Sequence, residues 1–505
     1  MTETGAARIA KGSAYLMIQN VATEVIGLIA FAFVARLLTR EEMGITVAFT
    51  LTVVVAEVIS DLGFSSGLTK YIAEYRGRDA DYTPISFTGV TMKMLMAGLI
   101  AIICVLAAPQ LSKLLLKTGE YAVLFQLLSV VLLFACVNTT MNGILLGLNK
   151  IREIAILKVL AALTRRTLAV ALLMLGCGLT GFVIGWIFGV LTYAAASTWI
   201  ILKGKHLKVH PIEEVSEHLE MLTRFSWPLF LTGVVVFIYN WFDRTILLTS
   251  IPLGQLAVYN VAFTAFGVLA AIPLAISASL FPYYSEKHGR KRHENITFGV
   301  RATTRYIALF YTPLALGLVA TANAFITLFA GGAYADGDVI LAFLSLFGAL
   351  SGISAVFRVL LLVYNMTPSI LIINMASVGI SLVAFPFVLP TLGIAGVAIV
   401  RGIAMIVSLI LVIIVLRRKM PINFDREALW KSWTAAVTMA LAVWLIQQAC
   451  FSRYLMPIYV LAGGVIYMTG LKILKAVNKN DLQLIRNLLG RRATPLMGIL
   501  EKILT

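Results

Sequence analysis

Long apolar runs separated by short polar breaks organise this chain. A helix needs roughly 20 apolar residues to cross about 30 Å of hydrocarbon. Fourteen runs reach or approach that length, near 12–36, 42–63, 83–108, 121–145, 151–175, 180–203, 225–249, 255–282, 298–325, 338–362, 367–389, 393–416, 430–449 and 455–474. The pattern predicts an all-α polytopic membrane protein of about 14 transmembrane helices.

The polar breaks repeat. Leu37-Leu38-Thr39 with Gly44, and Leu247-Leu248-Thr249 with Gly254, place the same signature 210 residues apart. Leu145-Leu146 and Asn149 return as Leu361-Leu362 and Asn365 at an offset of 216. Gly178-Leu179-Thr180-Gly181-Phe182-Val183-Ile184 returns as Gly393-Ile394-Ala395-Gly396-Val397-Ala398-Ile399 at an offset of 215. Three matches in order at nearly one offset indicate an internal repeat. Each copy holds six runs, an even number, so both copies enter the membrane with the same orientation, as a parallel repeat. The predicted division is a six-helix bundle over 1–209, its repeat over 210–424, two added helices over 425–478 and an amphipathic tail over 479–505. The tail sets Leu482, Ile485, Leu488 and Leu489 against Arg486, Arg491 and Arg492, a pattern suited to a membrane surface.

Composition agrees with a bilayer as solvent. At 60% hydrophobic, 13% charged and mean hydropathy +0.93, the chain has too little polar surface for a water-soluble protein of 505 residues. Positive charge is retained on the cytoplasmic side. With the N-terminus inside, only Arg36, Arg40, Lys113, Lys117 and Arg453 fall on outer loops, of 41 Lys and Arg. The net charge of +17 therefore reads as a topology signal and a match to anionic headgroups, with no nucleic-acid partner. The expected location is the cell (cytoplasmic or inner) membrane, with both termini cytoplasmic and no cleaved leader. The longest outer loops are expected at 109–120 and 326–337. Cys104, Cys136, Cys177 and Cys450 are scattered through or beside the runs and suggest neither a disulfide framework nor a metal site.

Several motifs carry no chemistry here. Gly63-Phe64-Ser65-Ser66-Gly67 matches G-x-S-x-G, yet no strand precedes it, and it reads as a membrane-exit loop. Gly185 and Gly189 suit close helix approach. No Walker A sequence is present, so the chain is not expected to hydrolyse ATP.

The chain resembles the polysaccharide and lipid-linked oligosaccharide flippases of the multidrug/oligosaccharidyl-lipid/polysaccharide (MOP) exporter superfamily. The resemblance rests on the six, six and two layout, on Ser60-Asp61-Leu62-Gly63-Phe64 with Lys70 and Tyr71, and on Asp243-Arg244 followed by Gly254 and Ala257-Val258-Tyr259. It implies two six-helix bundles in a V around a cavity open alternately to each side. It also implies a polyprenyl-(pyro)phosphate-linked glycan as substrate, membrane lipids as partners and a monomeric transporter. No cofactor is expected, and a coupling ion, H+ or Na+, stays open.

Buried charge is expensive in a bilayer and marks candidate sites. Glu24 lies at the centre of the first run and can hold a proton, a cation or a basic partner. Arg165 and Arg166 lie near the midplane of the fifth. Neighbours on a helix point about 100° apart, so one is expected to face the substrate, whose phosphates arginine binds bidentately. Lys93, Arg358 and Arg401 are less central, and Lys93 and Arg358 could reach headgroups instead. Asn240 and Asp243, among Tyr239, Trp241 and Arg244, could stack on and hydrogen-bond to sugars or form an interfacial belt. Glu57 and Asp61 read as structural. The rival classes are a cation-coupled multidrug exporter and a membrane-embedded glycan polymerase or ligase. The latter would need longer outer loops than this chain offers.

Overall fold

The computed structural model describes residues 5–290, 293–420 and 424–478, which contain helices and no strand. The chain forms two compact units, Met1–Ala257 and Val258–Thr505. Unit 1 holds α1 (Gly5–Leu37), α2 (Arg40–Asp61), α3 (Phe64–Gly77), α4 (Thr83–Leu116), α5 (Ala122–Gly147), α6 (Ile151–Met174), α7 (Gly178–Lys203) and α8 (Ile212–Ser250). Then come α9 (Leu253–Gly289), which begins at the end of unit 1, and in unit 2 α10 (His293–Tyr306), a π-helical turn (Ile307–Tyr311), α11 (Thr312–Ala320) and α12 (Ala322–Phe329). A 3-10 turn (Gly332–Gly337), α13 (Asp338–Val363), α14 (Thr367–Arg417), α15 (Arg426–Ala449) and α16 (Met456–Ile473) complete unit 2.

Every apolar run predicted from sequence falls on helix. Eleven helices among the described residues are long and apolar enough to cross a membrane, or twelve if the pair bent by 79° at Thr321 is one span. The sequence count of fourteen differs for two reasons. The runs at 367–389 and 393–416 are two helices that meet at a kink at Gly393 (φ 57°, ψ −147°) and are taken together as the 51-residue α14, so they count once. The helix α6 carries Arg152, Glu153, Lys158, Arg165 and Arg166, more charge than an apolar span admits. Three expected loops are also corrected. The supposed exit loop is a two-residue break, Leu62 and Gly63 both left-handed, after which α3 starts at Phe64. The stretch 109–120 is mostly the end of α4, which continues through Pro109 to Leu116. Most of 326–337 is the end of α12 and the 3-10 turn. The predicted tail over 479–505 lies outside the described residues.

The repeat signatures have matching geometry. Asn149 and Asn365 are both left-handed, at φ 59° and 57°. Each closes its helix identically: Asn149 N–H donates to Leu146 O and Lys150 N–H to Leu145 O, as Asn365 N–H does to Leu362 O and Met366 N–H to Leu361 O. This is the 6→1, 5→2 termination of a left-handed cap. Gly178 and Gly393 share φ 52° and 57°.

Large apolar side chains cover the outside as well as the core. On α4, small and hydroxylic residues such as Ser86, Thr88, Gly89, Ala97, Ala108 and Ser112 are buried beside Ile85 and Leu116, while Leu95, Leu99, Ile102, Ile103 and Leu106 are exposed. Small and hydroxylic side chains let helices approach closely, and large aliphatic ones suit lipid. Backbone groups freed where helices break are satisfied by α15 and α16. Tyr467 Oη donates to Leu309 O in the π turn at 2.8 Å, and Gln447 Nε2 to Ala320 O beside the bend at 2.8 Å. Arg305 joins both helices to α10, donating to Asp425 Oδ2 and Ala476 O, each at 2.8 Å.

The connection from α7 to α8 is pinned by imidazoles. His206 Nε2 accepts from the Lys150 ammonium at 3.0 Å, which leaves Nδ1–H to donate to Tyr82 Oη at 2.7 Å. His210 Nε2 meets Thr83 Oγ1 at 2.9 Å. Burial, then the Lys150 charge, hold the His206 pKa below its ordinary value. The folded state thus favours neutral imidazole. Its contribution is complete above the ordinary pKa of about 6.5 and is lost as pH falls through the depressed value. Amide exchange over 204–211, corrected for intrinsic rate, is expected to rise between about pH 7.5 and 5.5 in the wild type, and to change less in His206→Gln; equal pH responses would contradict this assignment.

Candidate functional site

A band of charged and hydroxylic side chains runs through unit 1, contributed by α1 to α6 and packed against α7. At its base Lys93, on α4, has no exposed surface. Its ammonium donates to Asp61 Oδ1, to Ser65 Oγ at 2.6 Å and to Thr139 Oγ1 at 2.9 Å. Ser65 Oγ also donates to Asp61, and Thr139 Oγ1 to Cys136 O. An ammonium has three hydrogens, and all three are taken. Lys93 therefore does not reach headgroups and has no donor to offer a ligand. The left-handed pair Leu62-Gly63 turns the chain so that Asp61, ending α2, and Ser65, opening α3, converge on it. A Cβ on Gly63 would stand 2.5 Å from Ser226 O, so glycine is required there.

Higher in the band, Arg165 and Arg166 diverge as the helical period demands. Arg165 points to α7, where its guanidinium lies 4.0 Å from the centre of the buried Trp186 ring and its Cβ fits against Gly189. Arg166 points to α1, its Nη2 3.6 Å from where a Cβ on Gly27 would be. Each has a carboxylate in its field, Glu57 for Arg165 and Glu24 for Arg166. Neither pair closes to a salt bridge, and neither guanidinium donates a hydrogen bond to any described residue. Two half-buried guanidinium forks, each with five N–H donors, thus lack acceptors among the described residues. Stacking on Trp186 holds Arg165, and the field of a carboxylate acts on each, while the donors stay available. Glu24 is exposed on α1, a turn above the buried Gln19, whose Oε1 has no partner. Asn138, on α5, donates to Val190 O at 3.1 Å and has a buried Oδ1 without a partner.

The other predicted residues lie elsewhere. On α8, Asp243 is fully buried and accepts from Arg244 N–H at 3.0 Å. Arg244 stacks on Trp241 at 4.1 Å and donates to Asn240 O, while the Asn240 side chain is exposed. In unit 2, Arg358 donates to Asn374 Oδ1 at 2.9 Å and Ser408 Oγ at 2.6 Å. Arg401 is buried with its guanidinium 5.8 Å from the Phe263 ring centre. Sequence reasoning missed Ser65, Thr139, Trp186 and Asn138. Two of them had a signal: Trp186 lies between Gly185 and Gly189, and Ser65 stands in the motif read as a loop.

A multispan all-helical protein with guanidiniums held inside a helical unit defines a class, and its fold is that of the MOP-superfamily transporters. The chain is similar to the structure described as "Lipid II flippase MurJ, inward closed conformation", with TM-score 0.74 at 17% identity over 93% of this chain and 99% of that one. It is also similar to an inward-facing "multidrug resistance MATE family transporter of the MOP superfamily", with TM-score 0.63 at 16% identity over 79% and 94%. A third is "a MOP superfamily transporter from Pyrococcus furiosus", with TM-score 0.58 at 18% identity over 82% and 95%. No curated relative matches the chain. The chain belongs to the polysaccharide biosynthesis protein family, which matches residues 9–288.

Proposed function

We propose that this protein is a flippase that moves a polyprenyl-(pyro)phosphate-linked oligosaccharide from the cytoplasmic to the external leaflet, exposing its site alternately to the two sides. The observation that carries this reading is the pair of guanidiniums, Arg165 and Arg166, held within unit 1 without acceptors among the described residues. Of the buried cations proposed from sequence in unit 1, Lys93 is saturated. An anionic ligand with several oxygens is the natural partner for planar forks, and a phosphate accepts from them bidentately. Membership of a polysaccharide biosynthesis family supports a glycan as the cargo. In this reading Glu24 and Glu57 balance the guanidiniums when no substrate is bound, and Glu24, exposed on α1, is the candidate for a coupling H+ or Na+. The protein acts as a monomer in the cytoplasmic membrane with both termini inside, its two six-helix repeats followed by two added helices.

A cation-coupled multidrug exporter is the rival, favoured by the exposed Glu24 carboxylate and by the solved multidrug transporters of the same fold. Proteoliposomes separate the two. Wild-type protein is expected to accelerate flipping of a fluorescent polyprenyl-pyrophosphate-linked sugar and to leave a cationic dye where it is. Dye efflux driven by an ion gradient, without lipid flipping, would replace the flippase reading with the exporter.

A further inference from the structure

A second cleft, within unit 2, has a chemistry opposite to that of the guanidinium band. A cavity of about 480 Å³ opens between the α11–α12 bend, the start of α13 and the end of α15. That volume falls within the range of roughly 300 to 1,000 Å³ typical of small-ligand sites. One wall is a stripe of Trp444, Gln447 and Gln448, at the i, i+3, i+4 spacing of one face of α15, with Phe451 just after the helix end. The facing wall carries Asn323 and Asp338, joined by Asn323 Nδ2 donating to Asp338 Oδ2 at 2.7 Å.

The side chains are set for a ligand. Trp444 is 49% and Phe451 56% exposed, so their rings are open to the cleft's surroundings. Gln447 is buried and oriented by its bond to Ala320 O, and its carboxamide oxygen accepts from no described residue. Among the described residues no Lys, Arg or His lines the cavity, which disfavours phosphate and carboxylate ligands. The one carboxylate, Asp338, accepts from Asn323 Nδ2 and from Val339 N–H at 2.6 Å, at the first residue of α13, where the helix dipole favours negative charge. A compensated carboxylate attracts cations weakly but still accepts hydroxyl hydrogens. Amides that both donate and accept, one acceptor carboxylate and exposed aromatic rings are complementary to a neutral polyhydroxylated ring, whose hydroxyls bond in its plane and whose C–H face packs on the aromatics.

We infer that this cleft of unit 2 is a saccharide-binding subsite that takes uncharged sugar residues of the glycan, apart from the phosphate-binding band of unit 1. The inference rests on the glycan-lipid reading for its substrate class. The positive-inside assignment puts the α15 C-terminus, and so the cleft, at the outer face, where a translocated glycan would be held before release.

The test uses the full chain in detergent on an array of neutral and acidic oligosaccharides containing no lipid, with the retained saccharide then titrated by calorimetry. Wild type is expected to retain at least one neutral oligosaccharide. Trp444→Ala and Gln448→Ala are each expected to weaken it about tenfold or more, and Trp444→Phe to keep most of the affinity. Gln448 is exposed and makes no hydrogen bond to a described residue, so that variant is not exposed to a folding failure. Retention of no array saccharide, or equal retention by wild type, Trp444→Ala and Gln448→Ala, overturns the subsite and leaves Trp444 and Phe451 as interfacial anchors. Lipid flipping without saccharide retention sinks this inference and spares the flippase reading. Retention without flipping does the reverse.

Discussion

Replacing Arg165 and Arg166 together by alanine is expected to lower flipping of the pyrophosphate-linked probe at least about a hundredfold while the protein stays folded. A hydrogen bond to a charged group contributes roughly 1.5–3 kcal/mol, so losing one from each guanidinium removes about 3 to 6 kcal/mol of interaction with the phosphates. Every 1.4 kcal/mol is about a tenfold effect, so the expected loss runs from about a hundredfold upward. The cost in stability is smaller, because neither guanidinium bonds to a described residue. What Arg165 gives up is its stacking on Trp186 at 4.0 Å, worth about 0.5–2 kcal/mol. The lysine pair, Arg165→Lys with Arg166→Lys, keeps the charge and loses the planar fork, so it should recover only part of the rate. Flipping in the alanine pair within about threefold of wild type, at equal reconstitution, would remove both residues from the site.

Much of this arrangement was legible in the sequence, because its causes are local. Apolar run length located the helices, and the offsets near 215 located the caps, since a left-handed Asn or Gly leaves a short signature wherever it closes a helix. The divergence of Arg165 and Arg166 followed from the helical period alone. What escaped depends on tertiary packing. Nothing in the run 83–108 says that α4 continues through Pro109 to Leu116, because Pro109, Gln110, Ser112 and Lys113 break the apolar pattern there. The partners of Lys93 come from three other helices, 28 to 46 residues away in sequence. Without those distances, Lys93 and Arg165 looked alike as buried cations. Counting acceptors separates them: one has every hydrogen bonded and the other has none.

That saturation makes Lys93 the residue whose loss should do most harm to the fold. Lys93→Met is expected to destabilise the protein by about 3–5 kcal/mol, the range for breaking a buried ion pair by removing one partner. The low end is expected, because Asp61 keeps 29% of its side-chain surface exposed and water can compensate part of its charge. Asp61 would retain the Ser65 hydroxyl as a donor, while Thr139 Oγ1 would lose its ammonium partner. Removing both charges, with Lys93→Met and Asp61→Asn, should restore more than half of the loss, since the damage comes from a stranded carboxylate more than from a missing bond. Denaturant titration of purified protein in one detergent, across wild type, both single variants and the double variant, gives the coupling directly. Additive single effects below about 1 kcal/mol each would mean that Lys93 is not the keystone of the band. The flipping rate of the rescued double variant carries a separate prediction. With its network neutral and its fold recovered, it should flip the lipid within a few-fold of wild type, because Lys93 has no hydrogen left for the substrate and the phosphate-binding work falls to α6.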